Sequence, residues 1–195
     1  MNVGVQFFDR ILTIARIFYE ETIKLVRKHR PKAAWAFYDY PVCYNLTPRQ
    51  PNPQCDDRVK AENDRMAWLW DQSGVLLPSV YAVKAFSKEN LTEYINGRLV
   101  ETYRIANKYY PPKKIFPFLR YRYRDSMKEF LTQDVYVTVF RELLRQNVDG
   151  LIIWGSSNDV NTRRKCMNLL NHLHQVLGPL IKSIEQFYPQ NKNSD

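Results

Sequence analysis

Apolar residues recur along the chain in two alternating patterns, one at helical spacing and one as short unbroken runs. Helical spacing predicts helices over residues 5–29, 58–71, 92–108, 132–146 and most of 161–187. The unbroken runs predict strands over residues 33–40, 75–81, 115–123 and 150–154. These strands are apolar throughout, as expected when both faces of a sheet are covered. Strands that alternate with helices predict an α/β fold with a parallel sheet.

The carboxyl ends of the four predicted strands carry aromatic and hydroxyl groups. Tyr38 and Asp39 end the first strand, Ser79 and Tyr81 the second, the sequence YRYRD the third, and Trp154 the fourth. In a (β/α) barrel the active site forms at this end of the strands. Aromatic rings stack on the apolar faces of sugars while polar groups bond their hydroxyls. Core packing explains any one of these residues, but their coincidence at four strand ends favours a sugar-binding site.

Composition narrows the class of protein and of partner. The 195 residues have the length of one domain, and 29 Lys and Arg against 20 Asp and Glu give a net charge of +9. This charge favours polyanionic partners, although a basic surface without a dedicated partner is the alternative. No apolar run approaches 18 residues, so no membrane span is expected. The N-terminal segment is interrupted by acids, which predicts an amphipathic helix rather than a signal peptide.

Cysteines and sequons indicate an extracellular setting. Cys43 and Cys55 bracket a loop rich in Pro and Asn, which predicts a disulfide, and Cys166 is left unpaired. Two sequons predict N-glycosylation at Asn45 and Asn90. A disulfide and glycans are typical of secreted proteins.

Other chemistries lack support in the sequence. Neither a dinucleotide fingerprint nor a phosphate-binding loop follows any predicted strand, and no G-x-S-x-G occurs. His29, His172 and His174 do not combine with the cysteines at zinc-site spacing. We therefore expect neither a metal nor a cofactor.

Four ordered motifs resemble the animal hyaluronidases, most closely those of insect venoms. They are WAFYDYPVCYNLTP, E-N-D-x-M-x-W-L-W at residues 62–70, VLLPSVY at 75–81 and GLIIWGSSNDVNT at 150–162. The resemblance extends from about residue 11 to about residue 187. It implies a secreted enzyme with a distorted (β/α) barrel that cleaves β-1,4 bonds in hyaluronan with retention. Residues 1–195 are then expected to be the C-terminal portion of this barrel, with about four parallel strands and the early strands missing.

The same resemblance assigns roles to individual residues. Tyr38, Tyr81 and Trp154 match residues that line the cleavage subsite around the acetamido sugar, and Ser79 lies beside them. Asp39 stands where relatives usually carry a small residue.

The cysteines match the family pattern too. Cys43 and Cys55 match a family disulfide. Cys166 matches the later half of a second disulfide, whose partner would precede Met1.

The family's catalytic acid pair has no counterpart in this sequence. That pair is an Asp-x-Glu within a segment resembling D-F-E-x-W-R-P, and its spacing places both carboxylates on one face of a strand. Glu62 and Asp64 have this spacing in reverse order, but a predicted helix start there favours helix capping. The acidic residues at 20–21 and at 56–57 are neighbours in sequence, so their side chains point in different directions, and we expect them to lie on solvated faces. Asp39 is the one carboxylate expected near the site, and it cannot fill both roles.

Three functions compete on this evidence. The chain is either the C-terminal portion of a hyaluronidase, or a catalytically dead relative that binds hyaluronan or chondroitin. Arginines interleaved with aromatics over residues 119–124 suggest a nucleic-acid-binding module, but the resemblance explains the same residues, so no nucleic-acid partner is expected. A barrel without its early strands exposes sheet edges, which predicts marginal stability and self-association.

Overall fold

The computed structural model describes the backbone of residues 3–187 and the side chains of residues 13–184. Its helices are α1 (Val3–His29), α2 (Asp57–Arg65), α3 (Ala67–Gln72), α4 (Lys88–Ala106), α5 (Gln133–Arg145), α6 (Arg163–His172) and α7 (Gly178–Phe187). Its strands are β1 (Val75–Leu76), β2 (Lys114–Ile115), β3 (Phe118–Arg120) and β4 (Ile152–Trp154). The predicted α/β class with parallel strands is confirmed. None of the described helices combines the length and apolar content needed to cross a bilayer.

The strands lie side by side in chain order. β1 pairs with β2 and β3 pairs with β4, both in parallel, and a parallel bridge from Ser79 to Phe118 joins the two pairs. Residues 35–39 run along β1, because the Gly74 amide donates to the Trp35 carbonyl and the Asp39 amide donates to the Leu77 carbonyl. Helices connect successive segments, as parallel pairing requires. The carboxyl ends of residues 35–39, β1, β3 and β4 therefore lie at one edge of the sheet.

The prediction of a first strand is wrong, because residues 33–40 do not form a hydrogen-bonded strand. Within residues 33–40, one isolated antiparallel bridge joins Tyr40 to Leu77. Asp39 has a φ of 68°, a left-handed conformation that turns the chain out of the extended path. The third predicted strand is split into β2 and β3 at Pro117, which has no amide hydrogen for a ladder.

Helix boundaries also differ from those predicted. The helix predicted over 58–71 is two helices that meet at Met66. α4 starts four residues before its predicted start because the Ser87 hydroxyl accepts from the Asn90 amide and caps it. A π-helical turn (Leu173–Leu177) separates α6 from α7. Pro179 follows this turn and has no amide hydrogen to continue an α-helical ladder.

The core lies between the sheet and helices α4 and α5. Large side chains buried there are Leu76, Leu91, Tyr94, Ile95, Leu99, Ile115, Leu119, Tyr136, Val139 and Leu143. Helix α1 contacts this core through Tyr19 and Ile23, while Ile14, Phe18 and Leu25 are exposed on it. Among the described residues, no strand pairs with the outer edge of β4. The expected self-association and low stability therefore stay predictions.

Candidate functional site

Four aromatic rings form a wall at the carboxyl ends of the strands. The rings of Tyr38 and Tyr81 stack with centroids 6.1 Å apart, and the Tyr38 ring meets Phe118 edge-on at 5.0 Å. Trp154 lies 5.9 Å from Tyr81 and 6.4 Å from Tyr38, and its Nε1 donates to the Tyr81 hydroxyl. Tyr38 is 43% exposed, so the wall is open to solvent. The structure thus brings together Tyr38, Tyr81 and Trp154, which we call, with Phe118, the aromatic wall.

A polar cluster of Asp39, Ser79 and Arg98 adjoins the aromatic wall. The Ser79 hydroxyl donates to the Asp39 carboxylate. Arg98 reaches in from α4 and donates to both the carbonyl and the hydroxyl of Ser79, each at 2.9 Å. Its Nη1 lies 3.8 Å from the Asp39 carboxylate. A buried guanidinium therefore faces a carboxylate that is partly open to solvent.

The tyrosine hydroxyls of the wall remain protonated at neutral pH. Burial raises the pKa of Tyr38 and of Tyr81, and the negative charge of Asp39 raises both further. A protonated phenol can donate a hydrogen bond to a sugar or amide oxygen. The wall thus offers apolar ring faces together with hydrogen-bond donors.

Sequence reasoning missed the role of Asn45 and Arg98. Asn45 is 0% exposed, and its Nδ2 donates to the carbonyls of Pro53 at 2.8 Å and Tyr94 at 3.0 Å. Its Oδ1 accepts from Arg98 Nε at 3.3 Å. This burial contradicts the expected glycan at Asn45, because the nitrogen that would carry it is enclosed by protein. Asn90 is exposed, and its glycosylation stays a prediction.

The cysteine predictions agree with the structure. Cys43 and Cys55 form a disulfide with Cα atoms 5.3 Å apart. Cys166 is a free, exposed thiol on α6. The disulfide closes the loop that contains Asn45, and Cys55 Sγ lies 3.6 Å from the Gly97 carbonyl of α4.

A second network, which the sequence did not reveal, is centred on buried Asp159. Its carboxylate accepts from the Tyr121 hydroxyl at 3.2 Å and the Ser156 amide at 3.0 Å, and it pairs with Arg122 at 3.0 Å. Arg120 lies 3.4 Å from the same carboxylate, and its guanidinium sits over the Trp154 ring at 5.5 Å. Burial acts to raise the pKa of Asp159, but the Ser156 amide, the two arginines and the tyrosine hold it below its ordinary value. The network therefore fixes β3, β4 and the loop after Trp154.

The other carboxylates considered from the sequence lie in surface ion pairs. Glu62 pairs with Arg58 at 3.3 Å, and Asp64 pairs with Arg104 at 2.8 Å. The interpretation of Glu62 and Asp64 as helix caps is wrong, since Asp56 caps α2. Over the described residues, no three His, Cys, Asp or Glu side chains are grouped closely enough to bind a metal ion.

Comparison with known proteins identifies the family. The sequence profile of the hyaluronidase family matches residues 8–188. Hyaluronidase B of Vespa velutina is 41% identical over 94% of this chain and 56% of its own length. The inactive hyaluronidase B of Vespula vulgaris is 33% identical over 94% of this chain and 54% of its own.

Solved structures agree with this match. The crystal structure of bee venom hyaluronidase in complex with hyaluronic acid tetramer superposes with a TM-score of 0.81 at 40% identity. That alignment covers 86% of this chain and 52% of the bee venom protein, so this chain spans about half the length of such relatives. A profile match over nearly the whole chain, with a shared fold, leads to one conclusion: the chain belongs to the hyaluronidase family.

Proposed function

We propose that this chain supplies the sugar-binding wall of a hyaluronidase-type site and does not cleave hyaluronan by itself. The observation that carries the proposal is the convergence of Tyr38, Tyr81 and Trp154 at one edge of the sheet, beside the Asp39–Ser79–Arg98 cluster. The whole protein would be a secreted, retaining endo-β-N-acetylhexosaminidase without a cofactor. Residues 1–195 would be the C-terminal portion of its (β/α) barrel.

The proposed chemistry assigns a task to each part of the wall. In substrate-assisted cleavage, the acetamido oxygen of the sugar attacks its own anomeric carbon, and a protonated carboxyl group delivers a proton to the leaving oxygen. Trp154 would pack against the sugar ring, and the protonated hydroxyls of Tyr38 and Tyr81 would hydrogen-bond the acetamide. These contacts orient the nucleophile but supply no proton to the leaving group.

Asp39 does not replace the missing acid pair. The reaction needs one carboxyl group that is protonated and a second that stabilises the acetamide as positive charge develops. The Asp39 carboxylate already accepts from Ser79 and lies 3.8 Å from the Arg98 guanidinium, and no second carboxylate is placed beside it in the aromatic wall or the polar cluster. We assign it to polar contact with the sugar.

A catalytically dead relative that binds hyaluronan or chondroitin is the second candidate function. It is supported by the intact wall in a chain without Asp-x-Glu, and by 33% identity to a relative named an inactive hyaluronidase. The two candidate functions predict different behaviour of the native protein. Hyaluronan gel zymography and a binding titration of the native protein separate them: cleavage favours the catalytic protein, and salt-sensitive binding without cleavage favours the binding relative.

Titration calorimetry with a hyaluronan decasaccharide tests the binding wall. Trp154→Ala should weaken binding about 30-fold, since loss of a central aromatic contact typically costs about 2 kcal/mol. Trp68→Ala is the matched control, because Trp68 is also half-buried but packs on Tyr19 in another part of the molecule. Its binding should stay within about twofold of the unmodified chain.

Two results would overturn the proposal. Equal affinities for Trp154→Ala and the unmodified chain, with both folded by circular dichroism, would exclude the wall as the binding surface. Cleavage of hyaluronan by the purified chain in gel zymography would exclude the inactive state.

A further inference from the structure

The end of the sheet opposite the aromatic wall carries a concentrated positive charge. We define this basic face by six side chains at or before the amino ends of the strands: Arg27, Lys28, Arg30, Lys32, Lys113 and Lys114. The first four come from the end of α1 and the residues after it, and the last two from the sequence Pro-Pro-Lys-Lys at the start of β2. Five of the six are exposed and Lys113 is half-buried.

Defined contacts bring these two distant segments together. Arg27 donates to the Gln72 carbonyl, and Lys113 Nζ donates to the Ser73 carbonyl at 2.9 Å. One residue further, the Gly74 amide donates to the Trp35 carbonyl at 2.7 Å, which holds residues 30–35 against the same loop. The basic face is thus a product of the fold and is positioned by backbone groups of residues 72–74.

The cations of the basic face lack ion-pair partners among the described residues. Within the described part of the chain, none of its six cations lies within 4.0 Å of a carboxylate, whereas Lys60, Lys84 and Lys108 are all paired.

Nearby carboxylates have other partners. Asp71 accepts from the Tyr109 hydroxyl at 2.8 Å, and Asp149 accepts from the Ile115 amide at 2.9 Å. Burial lowers the pKa of Lys113; Asp71 opposes this shift and the charge of Arg27 adds to it. A bound anion would relieve this repulsion between like charges.

We propose that the basic face binds a sulfated linear polysaccharide at a site separate from the aromatic wall. Sulfates repeated along such a chain match several separate cations, and the surrounding solvent leaves the contacts sensitive to salt. Tyr110 precedes the Pro-Pro-Lys-Lys sequence and is 100% exposed, so its ring can pack against a sugar. This inference does not depend on the proposed function.

Two other polyanions fit the basic face less well. Stable membrane binding joins a basic cluster to a broad apolar face or a lipid anchor. The exposed large apolar side chains beside this face are Leu25 and Tyr110, whereas Ile14 and Phe18 lie two or more turns earlier on α1.

Sequence-independent binding of single-stranded nucleic acid uses several exposed stacking rings along a groove. Beside this face Tyr110 is fully exposed, whereas the half-buried Tyr109 ring lies under Lys113 and Trp35 donates to the Arg30 carbonyl. We therefore favour the polysaccharide, and the other two classes become outcomes of the test.

Binding of a heparin dodecasaccharide at several salt concentrations tests this inference. A triple variant with Arg30→Gln, Lys32→Gln and Lys114→Gln should bind at least about tenfold more weakly, with a shallower dependence on salt. Arg27 and Lys113 are left intact because their hydrogen bonds to the carbonyls of Gln72 and Ser73 position the face. The control triple, with Arg163→Gln, Arg164→Gln and Lys182→Gln, removes the same charge from exposed positions on α6 and α7 and should bind within about twofold of the unmodified chain.

The remaining outcomes contradict the inference. Equal weakening in both triples would show that net charge alone is responsible. Tighter binding to phosphatidylserine vesicles or to a single-stranded oligonucleotide than to heparin would assign the face to another partner. Loss of heparin binding in Trp154→Ala would show that the two sites are one.

Discussion

Replacing Asp159 with alanine should lower the free energy of unfolding by about 3–5 kcal/mol, the range expected when one partner of a buried ion pair is removed. Its carboxylate is the acceptor that Arg120, Tyr121 and Arg122 share. Both arginines are buried, and Arg122 Nε lies 3.0 Å from the Asp159 carboxylate. Alanine would leave two buried cations without a counter-charge, and urea unfolding of the variant measures the cost.

The pH dependence of stability is a second test of the Asp159 network, and the pKa of Asp159 fixes the direction of the expected change. The pKa of Asp159 in the folded chain is lower than its ordinary value of 3.8, so the folded state favours the ionised form. Its contribution is complete above pH 3.8 and is lost as the pH falls further, through the folded-state pKa. The difference in stability between the unmodified chain and Asp159→Ala should therefore narrow below that pH.

Two controls make the Asp159 result specific. Asp57→Ala removes an exposed carboxylate paired with Lys60 and should leave stability unchanged. Adding Arg122→Met to Asp159→Ala should restore part of the lost stability, because it removes one of the uncompensated cations. Equal stability of Asp159→Ala and the unmodified chain at neutral pH would contradict the assignment of Asp159 as the counter-charge.

The aromatic part of the site could be predicted because it depends on strand direction alone. Apolar runs give the positions at which strands end, and parallel strands place these ends at one edge. Tyr38, Tyr81 and Trp154 meet there even though residues 33–40 do not form a regular strand. The wrong assignment of residues 33–40 as a strand did not affect the predicted position of Tyr38, because residues 35–39 still run along β1.

The polar part of the site could not be predicted, because burial of a polar side chain depends on distant partners. Arg98 occupies an ordinary helical position, and its role requires Ser79 and Asn45 to lie beside α4. Asp159 lies in the polar sequence GSSNDVN, which reads as a solvated loop. The sequon at Asn45 has the same limitation, since Asn-Leu-Thr specifies the residue types but not their exposure.

Replacing Gly97 with alanine should also destabilise the chain strongly, although the same change usually stabilises a helix by about 1 kcal/mol. A Cβ at Gly97 would lie 1.9 Å from the Pro53 carbonyl oxygen and 2.8 Å from Asn45 Nδ2. Those two groups are hydrogen-bonded to each other, so the methyl group would separate them as well as the loop and α4. We expect a net loss of about 3 kcal/mol from overpacking and the broken hydrogen bond, measured by urea unfolding.

The disulfide explains why this clash cannot relax freely. The Cys43–Cys55 bond holds Asn45 and Pro53 within one closed loop, so the loop cannot swing away from α4 as an open chain could. Removing the bond with Cys43→Ser and Cys55→Ser should therefore reduce the cost of Gly97→Ala, a coupling that a double-mutant cycle measures. Val100→Ala, at an exposed position of the same helix, should change stability by less than about 1 kcal/mol. A stabilising Gly97→Ala would mean that the loop does not lie against α4. Asn45 would then be too far from Arg98 to support its position in the site.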